Sequence, residues 1–203
     1  NKNSQALPES SANKEILRMQ FREKRTLLSP AQIALYSRYI CEKIVSILPH
    51  SSTSIHLFLP IRRLKEVDLT PLLPTLWERG DKVYVPRVTN NVLEHVEIFP
   101  DTIIQENDWG IPEPLEKYPG LIPSEISNLH FVLTPLLVCD TQGARVGYGG
   151  GFYDQFFHEY PHLYRIGVGF FEPVCEILDA YSGDMPLHQY ISPQKITHFT
   201  VEK

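Results

Sequence analysis

The ten residues RVGYGGGFYD, positions 145–154, hold four of the chain's 11 glycines, three aromatic residues, an arginine and an aspartate. Glycine adopts positive φ at little steric cost, so Gly147, Gly149, Gly150 and Gly151 let several N–H groups converge on one concavity. A helix beginning near Phe152 would add the positive end of its dipole. The expected product is a cradle for an anion, most simply a phosphate group. The spacing is neither the G-x-x-x-x-G-K-[ST] loop nor the usual dinucleotide fingerprint. Glycine-rich segments also serve as plain chain reversals; Arg145 before the run and Asp154 after it add charges of both signs and favour a site.

A cradle that lacks its own lysine needs positive charge from elsewhere. Lys14 and Arg18 lie four residues apart on a predicted helix, so they share a face and can clasp a polyphosphate, although such a pair taken alone is usually a solvated surface. Glu66, in FLPIRRLKEVDLT, stands at a strand-to-helix turn where an acid commonly caps the helix, and Asp68 competes for that role. The formal charge of −5 supplies no general field for a nucleic-acid backbone. Cys41, Cys139 and Cys175 are far apart and odd in number, which fits neither a disulfide framework nor a zinc site and predicts a reduced, cytoplasmic setting. Apolar runs fall short of the roughly 18 residues of a membrane helix. The chain opens on Asn1 without a charged-then-apolar leader, which leaves room for an upstream segment that was cut away.

The elements that must position these residues alternate along the chain. Residues 1–12 are polar and expected to be loose, and a single α/β domain is expected over 13–203. Asn13 predicts the cap of a first helix, with Ile16, Leu17, Met19, Phe21 and Leu27 partly on one face. Ser29 and Pro30 start a second, whose stripe is Ile33, Ile40, Ile44 and Ile47. SIHLFLP, a proline-interrupted helix ending at Gly80, and KVYVPRV form a βαβ unit. VLEHVEIF reads as an edge or antiparallel strand, WGIPEP as a loop and HFVLTPLLV as a central strand. FYDQFFHEY then reads as a helix, with YRIGVGFF and QKITHFTV as the last strands. The fold class is α/β: a three-layer α/β/α arrangement with a mostly parallel sheet. In such sheets ligands sit beyond the C-terminal strand ends, where the glycine run falls.

The run LTPLLVCDTQGARVGYGGGFYDQF, with KEILR, FLPIRRLKEVD, VYVPRV and WGIPEP in order, resembles the 5-formyltetrahydrofolate cyclo-ligase (methenyltetrahydrofolate synthetase) family over nearly all of residues 13–200. The resemblance implies a sugar-phosphate isomerase/CoA-transferase-like fold. It also implies ATP-driven ring closure: the formyl oxygen on N5 takes the γ-phosphoryl group, N10 attacks the activated carbon, and phosphate leaves to give 5,10-methenyltetrahydrofolate. Magnesium would accompany ATP, and a monomer acting on small molecules, with no nucleic acid or membrane partner, is expected.

Carried over by position, the resemblance assigns Lys14 and Arg18 to the ATP phosphates. Arg145, Gly147, Tyr148, Gly149, Gly150, Gly151, Phe152 and Tyr153 would form the nucleotide loop, with Tyr148 and Phe152 also bordering the folate. Glu66 would hold the pterin side, Trp109 would flank the folate, and Asp154 and Asp184 would be magnesium ligands. Arg62 and Arg87 are candidates for the entrance of the acidic folate tail. GDMPLHQYISP departs from the family pattern, with His188 where a second acid is expected and Ser192 in place of threonine. That departure keeps two other readings open: a paralogue that binds nucleotide but has lost or altered ligase activity, and, by fold analogy, a sugar-phosphate isomerase or phospholigand-binding module.

Overall fold

The computed structural model describes residues 11–201. Most of the opening segment expected to be loose therefore lies outside the described residues. Its last residue is tied down: Ala12 N–H donates to Glu176 O (3.3 Å), and the Ala12 carbonyl accepts from Leu178 N–H (3.0 Å).

Helix α1 (Lys14–Thr26) starts at Asn13, whose side chain accepts from Ile16 N–H, and α2 (Pro30–Ile47) starts at a Ser29/Gln32 capping box. Both starts match the caps read from the sequence. The apolar face of α1 is narrower than expected. Leu17 and Phe21 are buried, whereas Ile16, Met19 and Leu27 are exposed.

The strands are β1 (Ser54–His56), β2 (Lys82–Thr89), β3 (Val92–Glu97), β4 (Ile104–Glu106), β5 (Pro112–Pro114), β6 (Phe131–Pro135), β7 (Val138–Cys139), β8 (Arg145–Val146), β9 (Tyr164–Val168), β10 (Gln189–Ile191) and β11 (Ile196–His198). The remaining helices are α3 (Leu73–Glu78), α4 (Pro123–Ile126) and α5 (Phe152–Glu159). The main sheet runs β11-β10-β9-β6-β1-β2-β3. Its inner pairings are parallel, and the outer pairs β10–β11 and β2–β3 are antiparallel.

Alternation along β1 assigns the layers. Ile55 joins a cluster with Ile40 and Ile44 of α2 and Leu76 of α3. The next residue, His56, points the other way, to Phe156 of α5. Helices thus cover both faces, as the three-layer reading requires.

Three local expectations change. WGIPEP is not simply a loop, because its last three residues form β5, paired with β4. HFVLTPLLV does not run through as one strand. The sheet strand ends at Pro135, and Val138–Cys139 pairs instead with Arg145–Val146 in a small hairpin that delivers the chain into the glycine run. The third change is the addition of β10, between the two segments expected as the last strands, where the sequence reading assigns no element.

Candidate active site

Leu17 and Phe21 of α1 pack with Leu137, Val138 and Val146, which seats the helix over the β7–β8 hairpin. Arg18 and Arg22 thereby reach the loop at 147–151. Arg18 Nε donates to Gly147 O at 3.0 Å and Arg22 Nη2 to Tyr148 O at 3.3 Å. Lys14, Arg18 and Arg22 all line one cavity of about 660 Å³ with the glycine run. Arg22 escaped the sequence reading, although its spacing continues the period-four stripe of Lys14 and Arg18.

The expectation of positive φ at all four glycines is corrected to two, Gly149 (φ +100°) and Gly151 (φ +70°). A Cβ on Gly149 would sit 3.8 Å from the Arg18 guanidinium, so this glycine also permits close approach of the helix cation. Gly151 occupies the N-cap position of α5. Asp154 is therefore no cap; its Oδ1 accepts from Arg145 Nη2 at 2.6 Å. Arg145 is buried, and its other terminal nitrogen donates to Met185 O at 2.9 Å.

Asp184 enters the cavity from the far end of the chain, where its Oδ2 lies 2.5 Å from Lys14 Nζ and also accepts from Tyr181 N–H at 3.1 Å. Each candidate metal carboxylate thus faces a cation of the same cavity. By contrast, Arg18 and Arg22 have no carboxylate partner among the described residues. Their charge lies beside the loop amides, where a polyanion would find it.

On the other side, Glu66 is 5% exposed and accepts from Ile61 N–H at 2.7 Å through Oε2. Burial pushes its carboxyl above the ordinary carboxylate range, opposed by the Ile61 N–H, the Tyr148 hydroxyl and the charges of Arg25 and Arg63. Asp68 takes the local turn role instead, accepting from Thr70 N–H at 3.0 Å. Phe58, Leu59, Pro86, Val88 and Leu93 supply an apolar wall. Tyr153 carries a buried hydroxyl with no partner among the described residues.

Lys14, Arg18, Glu66, Arg145, the whole run Gly147–Asp154 and Asp184 come together in this one cavity. Trp109 does not line it. The residue is 68% exposed, in the turn between β4 and β5, and its backbone carbonyl receives Arg63 Nε at 3.0 Å. Arg87 is engaged elsewhere, by Glu94 and the carbonyls of Leu115 and Tyr118. Arg62 lines a separate, smaller cavity. His188, the departure from the family pattern, lies outside the site. It stacks on Tyr164 (4.6 Å, 17°) and accepts from Arg165 N–H. Ser192 is buried in the β10–β11 turn and bonds Glu172.

The model of the 5-formyltetrahydrofolate cyclo-ligase family matches residues 10–191. The chain is similar to the 5-formyltetrahydrofolate cyclo-ligase of Escherichia coli (strain K12), 31% identical over 137 residues that span 64% of this chain and 74% of that protein. It is 33% identical to the same enzyme of Haemophilus influenzae over 107 residues, 51% of this chain and 56% of that protein. The NMR structure of Aquifex aeolicus 5,10-methenyltetrahydrofolate synthetase superposes with a TM-score of 0.77 at 25% identity, covering 94% of each chain. A glycine loop faced by helix cations, a buried acid opposite and a match across nearly the whole described chain lead to one assignment: this ligase belongs to the 5-formyltetrahydrofolate cyclo-ligase family.

Proposed function

We propose that the cavity binds Mg-ATP on its glycine-loop side and 5-formyltetrahydrofolate on its Glu66 side, and closes the folate to 5,10-methenyltetrahydrofolate with release of ADP and phosphate. The observation that carries this reading is the meeting of Arg18 and Arg22 with the carbonyls of Gly147 and Tyr148, which gathers at the glycine loop two cations that have no carboxylate partner among the described residues.

Lys14, Arg18, Arg22 and Arg145 would hold the triphosphate and offset the charge that spreads over the transferring group. Asp154 and Asp184 fit magnesium, a hard cation bound through one or two carboxylates plus substrate phosphates. When bound, the metal would neutralise phosphate charge. For that, both acids must exchange their present cations: Lys14 and Arg145 would turn to phosphate as Asp184 and Asp154 turn to the metal. Glu66 would orient the pterin, and the apolar wall would keep water from the activated formyl carbon. Tyr153 has a hydroxyl ready for a ligand. No general base is assigned, since N10 attacks a carbon already activated by phosphorylation.

We further infer a single domain over residues 13–203 that acts as a cytoplasmic monomer on small molecules. Among the described residues no helix is long and apolar enough to cross a membrane. The test is incubation with 5-formyltetrahydrofolate and Mg-ATP while absorbance of the methenyl product is followed. Product that requires both substrates is expected. ATP binding without product at high enzyme concentration would overturn the ligase assignment in favour of an inactive paralogue.

A further inference from the structure

Helix α1 runs along the cavity, and its two ends are held by different parts of the chain. At the N-terminal end, Lys14 N–H donates to Asp179 Oδ1 at 2.7 Å, and Lys14 Nζ meets Asp184 Oδ2 at 2.5 Å. Further along, Arg22 reaches Tyr148 O and the Arg25 guanidinium donates to the Tyr148 hydroxyl. Beyond them, Lys65 Nζ donates to the carbonyls of Thr26 (2.5 Å) and Leu28 (2.7 Å). Lys65 immediately precedes Glu66, so the acid of the folate side belongs to the C-terminal end of α1. The rise from Lys14 to Arg22 along the helix axis is about 12 Å.

This arrangement gives the nucleotide a direction. Phosphoryl transfer to the formyl oxygen brings the γ-phosphate to the folate, on the Glu66 side. The triphosphate therefore lies along the row Lys14, Arg18 and Arg22 with its γ end toward Arg22 and its ribose end toward Lys14. The base then falls beyond Lys14, beside residues 178–184.

One side chain there is placed to receive it. Tyr181 lines the cavity and is 66% exposed. Its turn is fixed twice: Asp184 N–H donates to Tyr181 O at 2.9 Å, and Tyr181 N–H donates to Asp184 Oδ2 at 3.1 Å. The ring lies against the backbone at Gly183, where an added Cβ would come within 2.2 Å of Cε2, so this close approach requires glycine. Lys14 Nζ stands 4.9 Å from the ring centroid. We propose that Tyr181 is the platform on which the nucleobase of ATP stacks. As Lys14 turns to phosphate its ammonium leaves the ring, and the flat base takes the place of the cation; an aromatic side chain stacks on a base through the π face that every base has. The inference rests on the reading that the cavity holds Mg-ATP and folate, and it adds the direction of the nucleotide and the site of its base.

The test uses the full chain. Photolabelling with 2-azido-ATP and Mg²⁺ should mark the tryptic peptide that follows Arg165 and ends at Lys195, which contains Tyr181, and excess ATP should prevent the labelling. Label confined to other peptides would overturn the direction. Calorimetric titration then compares Mg-ATP with magnesium tripolyphosphate, which lacks the base. Tyr181→Ala should weaken Mg-ATP binding about tenfold, the scale of one lost base–ring stack, and change tripolyphosphate binding less than about twofold. Tyr181→Phe should recover most of the loss. Equal losses for the two ligands would make Tyr181 a support for Lys14 and Asp184 alone, and unchanged Mg-ATP affinity in Tyr181→Ala would remove the stack; either result overturns the platform. A wild-type chain that binds neither ligand would instead overturn the Mg-ATP reading on which the platform rests.

Discussion

Replacing Lys14 separates its role in folding from its role in the site. Taken as a helix-surface residue, its loss would cost no more than about 0.5 kcal/mol. The structure places it otherwise: Nζ is 2.5 Å from Asp184, with side chains 18% and 10% exposed, and 4.9 Å from the Tyr181 ring centroid. Exposed ion pairs contribute about 0.2–1 kcal/mol, whereas breaking a fully buried pair costs about 3–5 kcal/mol. A partly hydrated pair falls between these limits, and Lys14→Met is expected to cost about 1–2 kcal/mol in urea unfolding without ligand. Among the described residues Asp184 would keep only the Tyr181 N–H. Asp184→Asn in the same background removes the stranded charge and should restore most of the lost stability. Nucleotide binding should behave differently. A charge-assisted contact contributes about 1.5–3 kcal/mol, so Mg-ATP affinity should fall about 10- to 100-fold in Lys14→Met and should not recover in the double variant. Calorimetric titration of both variants reads this directly. Unchanged affinity in the single variant, or full recovery in the double one, would show that Lys14 serves only to neutralise Asp184.

Gly149→Ala puts a side chain at φ +100°, which should cost about 1–3 kcal/mol unless the loop rearranges; ATP affinity should drop far more than the melting temperature, and equal affinity would reduce the loop to a turn. Asp154→Asn should fold normally but lose most turnover and require more magnesium, seen as initial rate against Mg²⁺ at saturating ATP; full activity at ordinary magnesium would leave Asp154 only a partner for Arg145. His188→Asp, at a residue stacked on Tyr164 outside the cavity, should leave the magnesium requirement unchanged, and a lowered requirement would bring position 188 into the metal site. Burial lowers the imidazole pKa of both members of the His56–His95 pair (3.0 Å), His95 to about 4. The unfolded imidazoles titrate near 6.5, so the unfolded chain binds more protons below that pH, and stability should fall as pH drops from about 6.5 toward 4. His95→Gln should flatten that slope in denaturation curves at pH 7, 6 and 5; an unaltered slope would refute the assignment.

What was legible in the sequence was what is local. Asn13 and Ser29-Pro30 marked helix starts because caps act within three residues, and the glycines marked a loop because positive φ belongs to single residues. The β7–β8 hairpin was hidden inside FVLTPLLVC, a continuous apolar run in which periodicity carries no sign of where one strand ends. The β4–β5 pairing was hidden by Pro112 and Pro114, which argue against a strand. Strand β10 was only three residues long and bounded by Pro193. In the site, residue types were readable but their partners were not: nothing near Lys14 announces Asp184, and nothing near Tyr148 announces Arg25. Arg22 had a local signal, its place in the period-four stripe, while the outward placement of Trp109 had none, since it depends on how the β4–β5 hairpin is carried.

The tether of α1 has a consequence for how the chain is held together. The contacts that complete the glycine-loop side of the cavity join partners 129 residues apart, as in Arg18–Gly147, and 170 apart, as in Lys14–Asp184. Closing loops of that length carries an entropic cost that rises only logarithmically with length but must be met before any contact forms. A ligand gripped at once by residues 14–22 and 147–184 fastens both ends of such a loop. Bound as proposed, Mg-ATP would act as a reversible counterpart of a disulfide, a clasp that exists only while the nucleotide is bound and that stabilises the folded chain in proportion to the logarithm of its concentration.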